Sequence, residues 1–190
     1  MKQHLQALKT GDLYSNDTDY GPMAREDLAE GLLKQVQESV AKGAKIVCGG
    51  DRPATNGAYF NPTLLTNVSP GMPAFDEELF GPVAAIITAA SEEEAIELAN
   101  KSQYGLGAAI WSADLEKAQE LASRVEAGAV FINALVKSDP RMPFGGVKRS
   151  GYGRELSYIG IREFVNQKTV WVDAVDTSNV TNHPVHQITE

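Results

Sequence analysis

Cysteine is nearly absent from this chain: Cys48 is the single thiol among 190 residues. One cysteine cannot close an internal disulfide, which fits a reducing, cytoplasmic compartment. Histidine is scarce as well, and three scattered residues are too few for a metal cage. His183 and His186 do form an H-x-x-H, but in a polar C-terminal stretch without a cysteine or acidic helix beside it, so no metal site is expected there. No apolar run approaches the ~20 residues of a membrane span, and Met1-Lys2-Gln3-His4 leads into polar sequence rather than the apolar core of a secretion signal. Positive charge is in deficit, 17 Lys and Arg against 25 Asp and Glu, with no basic block, so neither nucleic acid nor membrane is an expected partner.

What is present fits one soluble core, with 43% hydrophobic and 22% charged residues matching an ordinary globular domain. Leu28, Leu32, Val36 and Val40, widened by Ala29 and Leu33, predict a helix over 25–42, stopped by Gly43. Residues 45–48 read as a short strand ended by Gly49-Gly50, and residues 59–68 as extended chain broken by Pro62. The second half alternates: a buried strand over 83–88, a helix opened by the Ser91-Glu92-Glu93-Glu94 capping box, and a strand over 106–111. A helix capped by Asp114 and a strand over 128–133 follow. Strands alternating with helices at this spacing predict right-handed crossovers and a parallel, α/β, Rossmann-like sheet. Residues 140–153 are then a Gly-rich loop, 155–165 a helix with Leu156, Ile159 and Phe164 on its apolar side, and 168–172 a β-branched, aromatic strand.

Two segments carry chemistry. Glu78-Leu79-Phe80-Gly81-Pro82 directly precedes the strand at Val83. A carboxylate there can accept from both hydroxyls of a ribose, and Phe80 can wall a flat ring. Gly81 permits close backbone approach and Pro82 stiffens the turn. A solvent-exposed acidic turn with a core phenylalanine is the blander alternative. The second segment runs Pro143-Phe144-Gly145-Gly146, then Lys148, Ser150-Gly151, Gly153 and Arg154-Glu155. Its glycines are architectural; Phe144 can line a pocket or simply pack the loop.

Both segments resemble the aldehyde dehydrogenase family, whose P-F-G-G-x-K-x-S-G-x-G-R-E stretch the second one follows. The likeness extends from about Leu5 to Val172, through Gly21-Pro22-Met23, Gly57 to Thr63 and Gly128 to Asn133. It implies the C-terminal portion of a catalytic domain over 1–165, an oligomerisation strand over 166–173 that pairs with a neighbouring subunit, and a flexible tail over 174–190. In the family, NAD or NADP accepts hydride after a cysteine thiolate attacks the aldehyde. The resemblance makes Glu78 and Phe80 cofactor contacts and Phe144 a wall of the substrate entrance. Ser138, five residues beyond Asn133, stands where succinate-semialdehyde dehydrogenases carry a serine that helps bind the substrate carboxylate. That type is the nearest match, with succinate semialdehyde as the implied substrate and a homo-oligomer as the complete enzyme. Lys137 and Arg141 could add local positive charge, or be solvated loop cations.

The family's reactive cysteine and general-base glutamate precede the matching region. Cys48 ends an apolar strand with no acid or histidine adjacent and is read as a structural residue. No catalytic residue is therefore assigned, and the chain alone is expected to be inert. The alternative is a non-enzymatic assembly module that pairs with full-length subunits through residues 168–172.

Overall fold

The computed structural model of the chain describes residues 1–173. Its densest packing surrounds α2 (Glu26–Ala41), the expected helix, whose buried face is Ala29, Leu32, Val36 and Ser39. That stripe follows the 3.6-residue turn; a strict four-residue repeat drifts off the face, and Val40 ends up exposed. The buried Ser39 hydroxyl donates to the Gln35 carbonyl at 2.7 Å and accepts from the Ala74 N–H at 2.9 Å. Ala74 lies in the short helix α3 (Pro73–Asp76), so one satisfied hydroxyl joins the two helices.

Against α2 lies a sheet of β1 (Lys45–Cys48), β2 (Thr63–Thr66) and β3 (Val83–Ala85), in that order. β1 runs antiparallel to β2 with a bulge between Ile46 and Cys48, and β2 runs parallel to β3. Leu32, Val36, Ala44, Phe60, Leu65, Val68, Met72 and Ala74 form the core between helix and sheet. The N-terminal α1 (Lys2–Ala7) touches β1 and β2. Pro62 limits the extended stretch as expected, since pairing starts at Thr63. The strand expected over 83–88 is shorter and only half-buried, with Ile86 and Ile87 exposed.

Past Ile87 come α4 (Glu92–Asn100), β4 (Tyr104–Gly105), β5 (Gly107–Ile110), α5 (Leu115–Ala122), β6 (Ala129–Ile132) and β7 (Val147–Lys148). Both expected caps form: Ser91 accepts from the Glu94 N–H and Asp114 from the Lys117 N–H. The Glu94 carboxylate accepts from Ala90, one residue before the cap. β5 and β6 are parallel, and β4 pairs antiparallel with β7 inside the Gly-rich loop.

The α/β class therefore holds, but a single parallel sheet does not. Among the described residues the strands form three separate sheets, and β3 is not bonded to β5. The strand expected over 106–111 is interrupted by a bend at Leu106. The last helix, α6 (Ser157–Arg162), is shorter than expected. Leu156 and Ser157 have φ of 63° and 53°, so the chain cannot enter the helix at Glu155. Phe164 is exposed rather than on a packed side. Residues 168–172 form no strand within the chain, and Trp171 is 81% exposed. The expected flexible tail over 174–190, with His183 and His186, lies outside the described residues.

Candidate functional site

The acidic turn before β3 is held from both sides. Gln35 on α2 donates to the Glu77 carboxylate at 2.8 Å and to the Glu78 carbonyl at 3.3 Å. Gln103 donates to the Asp76 carbonyl at 2.9 Å. Gly81 lets the turn press onto α2, since a Cβ there would sit 2.5 Å from Leu32 Cδ2. With its backbone fixed, the Glu78 side chain stays exposed, and among the described residues its carboxylate has no hydrogen-bond or ion-pair partner.

Glu78 lines a cleft of about 520 Å³ together with Ser102, Tyr104, Glu126 and Arg149. Arg149 donates to Gln103 Oε1 at 2.6 Å and lies 6.0 Å from the Tyr104 ring centre. Lys148 pairs with Glu126 at 2.7 Å, which neutralises that wall. Phe80 is 71% exposed and faces a different, apolar hollow of about 350 Å³ with Met23, Ala24 and Leu28. The turn thus presents a carboxylate to one side and a ring to the other.

The loop carrying Ser138 leaves the carboxyl end of β6, where open parallel sheets place their ligand sites. Asn133 launches it: φ of 52° turns the chain, and its side chain donates to the Ser112 carbonyl and accepts from the Ser112 N–H, at 2.8 and 2.9 Å. Farther along, Arg141 grips Asp139 through two side-chain bonds of 2.9 and 2.7 Å. The guanidinium holds the Asp139 carboxyl well below the usual carboxylate range, helped by the Arg141 N–H. Arg141 is therefore committed to Asp139 and adds no local positive charge; Lys137 has no such partner among the described residues.

Ser138 itself is exposed. Its neighbours Lys137 and Asp139 share a hollow of about 320 Å³ with Met142, Pro143 and Phe144 over β6. Phe144 is half-buried and fixed by two 2.8 Å backbone bonds to Glu155. The structure thus brings Phe144 and the Ser138 loop to one hollow, and sets Glu78 and Phe80 along another turn. Beneath them Gly128 passes so close to Gly145 that any Cβ would overlap its carbonyl. Arg154 braces the Gly-rich loop by donating to the Gly146 and Gly153 carbonyls at 2.9 and 2.7 Å.

Cys48 is buried opposite Leu64 in the β1–β2 pair. A catalytic thiolate needs access and a charge partner, and Cys48 shows neither. No group of acids, histidines or cysteines suited to a metal ion occurs among the described residues. Four positioning residues escaped the sequence reading: Gln35, Gln103, Asn133 and Asp139. The Asp-x-Arg spacing and an asparagine closing an apolar strand were the available signals for two of them. For Gln35, 42 residues from Glu77, and Gln103, 27 from Asp76, there was none.

The aldehyde dehydrogenase family model matches residues 1–170. The chain belongs to the aldehyde dehydrogenase family. It is 52% identical over 167 residues to a probable NADP(+) succinate-semialdehyde dehydrogenase of Synechocystis sp., covering 88% of this chain and 37% of that protein. It is 51% identical to the NAD(P)+ succinate semialdehyde dehydrogenase of Escherichia coli K12, covering 89% of this chain and again 37% of the relative. Among solved structures, succinic semialdehyde dehydrogenase from Streptococcus pyogenes in complex with NADP+ superposes with a TM-score of 0.86 at 38% identity. That match covers 90% of this chain and 38% of that one. This aldehyde dehydrogenase chain therefore spans little more than a third of the length of the relatives it matches. Among its described residues no helix is long and apolar enough to cross a membrane.

Proposed function

We infer that this chain forms the cofactor-orienting and substrate-entrance portion of an NAD(P)-dependent aldehyde dehydrogenase that oxidises succinate semialdehyde to the acid. The observation that carries the reading is the Glu78 carboxylate: exposed, without a partner among the described residues, and held at a cleft by a turn anchored on Gln35 and Gln103. An acceptor-only group in that state suits a ribose diol, and the exposed Phe80 ring suits a flat heterocycle, so the residues present fit the cofactor. Bound NAD or NADP supplies the hydride acceptor. Glu78 would hold the ribose hydroxyls on its side of the turn, and Phe80 would wall the nicotinamide on the other.

At the substrate end, the Ser138 hydroxyl donates to the distal carboxylate. Lys137 supplies the nearby charge, since Arg141 is engaged by Asp139. Phe144, fixed by Glu155, walls the entrance. The reactive thiol belongs to polypeptide outside this chain, a reading supported by the burial of Cys48. A second reading, an assembly module that pairs with full-length subunits, is favoured by the exposure of Val170, Trp171 and Val172.

The purified chain, with Cys48→Ala alongside, is assayed for NAD(P)-dependent oxidation of succinate semialdehyde. No turnover by either is expected. Turnover abolished by Cys48→Ala would make Cys48 the nucleophile and overturn the reading.

A further inference from the structure

Arg149 is an exposed cation of the Gly-rich loop, and among the described residues its polar contacts go to one residue. Its N–H donates to the Gln103 carbonyl at 3.0 Å and its guanidinium to Gln103 Oε1 at 2.6 Å. The Tyr104 ring, 6.0 Å from the guanidinium carbon, borders it. Lys148, with φ of 54°, turns the loop back toward Gln103 at the end of the β4–β7 pairing. The Ser150 N–H closes that turn on the Val147 carbonyl at 3.2 Å.

A side-chain amide has one accepting end and one donating end, and a guanidinium can only donate. Arg149 therefore holds Oε1 of the half-buried Gln103 toward itself, which turns Nε2 to the Asp76 carbonyl at 2.9 Å. A flipped amide would set Oε1 against that carbonyl, two acceptors face to face. Asp76 ends α3, and its carboxylate accepts from the Gly71 N–H at 2.9 Å, so the gripped residue is fixed at both its groups. Glu77 and Glu78 follow directly. Arg149 and Glu78 line one cleft, yet no ion pair joins them among the described residues. Arg149 thus acts on that carboxylate through Gln103 and leaves it open to a ligand.

We propose that Arg149 is a positioning residue for the cofactor. By setting the orientation of the Gln103 amide it holds the turn from Asp76 to Glu78, and with it the Glu78 carboxylate, in place for the ribose of NAD(P). The inference rests on the reading of Glu78 as the ribose-holding carboxylate.

In the chain itself, nuclear magnetic resonance follows exchange of the Gln103 Nε2 protons with water. Arg149→Met should speed it at least about threefold with the circular dichroism spectrum unchanged. Cofactor affinity is then measured in a chimera in which this chain replaces the matching part of the Synechocystis relative. Glu78→Ala should raise the dissociation constant for NADP+ about tenfold and Arg149→Met at least about threefold. The two together should do no more than Glu78→Ala alone, because they act on one group. Gln103→Glu keeps an acceptor for Arg149 but removes the donor facing Asp76. It should weaken NADP+ binding as Arg149→Met does while thermal stability holds, a split that a merely structural role does not give. KM for succinate semialdehyde at saturating NADP+ should move less than about twofold in Arg149→Met and Gln103→Glu.

Unchanged Gln103 exchange, unchanged NADP+ affinity in Arg149→Met, or a full additional loss on top of Glu78→Ala overturns the proposal while the reading of Glu78 stands. If Arg149→Met misfolds, Gln103→Glu decides by the same criterion. If Glu78→Ala itself leaves the dissociation constant unchanged, the reading of Glu78 fails and the proposal with it.

Discussion

Leu65 in β2 is fully buried, whereas Val130 and Ile110 in the paired strands β6 and β5 are only half-buried. The contrast extends to the regions around them. Phe60, Leu32, Leu65 and Val36, the largest fully buried hydrophobic side chains, all precede β3. After Ile87, the buried positions among the described residues are Ala118 and the glycines Gly105, Gly146 and Gly160. The first region is held by a dry core. The second is held by polar cross-links: Asn133 to Ser112, Asn100 to Arg124 and Glu126, Arg124 to Glu93, and Arg154 to the Gly-rich loop. The Glu78 turn sits at the seam, anchored on the packed region through Gln35 and tied to the other through Gln103. The packed region positions the carboxylate, while the looser region carries the Ser138 loop.

Paired truncations across the two regions give the largest expected effect. Leu65→Ala should cost about 2–5 kcal/mol, and Val130→Ala under about 2 kcal/mol because little of it leaves water on folding. Urea denaturation of both measures the difference, and equal losses would break the comparison. Ser39→Ala should cost about 1–3 kcal/mol, since it strands the buried Ala74 N–H, with loosening of α3 visible by hydrogen exchange. In the looser region, Gly128→Ala forces a methyl against the Gly145 carbonyl. Overpacking of that kind costs about 1–3 kcal/mol, and proteolysis within residues 140–153 should quicken.

The smallest effect is expected at the exposed Arg124–Glu93 pair, which bridges α4 to the residues after α5. Arg124 holds the Glu93 carboxyl below its ordinary value of 4.5. Its contribution is thus present above that pH and is lost as pH falls through the depressed folded value. The protection of α4 amides, measured relative to their intrinsic exchange rate at each pH, should fall on acidification in the native chain and change less in Arg124→Gln, with added salt narrowing the gap.

Much of this division was legible in the sequence. The periodicity of α2, the caps at Ser91 and Asp114 and the stop at Gly43 are local signals, and each formed where the residues indicated. The acidic turn and the Gly-rich loop were legible as motifs. Sheet connectivity was not, because strand order depends on edges that no local pattern encodes, and so β1 turned antiparallel and β3 stayed unbonded to β5. The start of α6 was misread because the left-handed Leu156 is imposed by the Phe144–Glu155 bridge, a contact 11 residues long. Within the site, Glu78 and Phe80 shared one motif in the sequence but face separate hollows, since neighbours two residues apart on an extended turn can point apart.

The substrate-entrance role is tested most directly in a chimera in which this chain replaces the matching part of the Synechocystis relative, comparing Ser138 with Ser138→Ala. A hydrogen bond to a carboxylate is worth about 1.5–3 kcal/mol. kcat/KM for succinate semialdehyde should therefore fall at least about tenfold, while an uncharged aliphatic aldehyde is oxidised as before. An equal fall for both aldehydes, or none for either, would contradict the account.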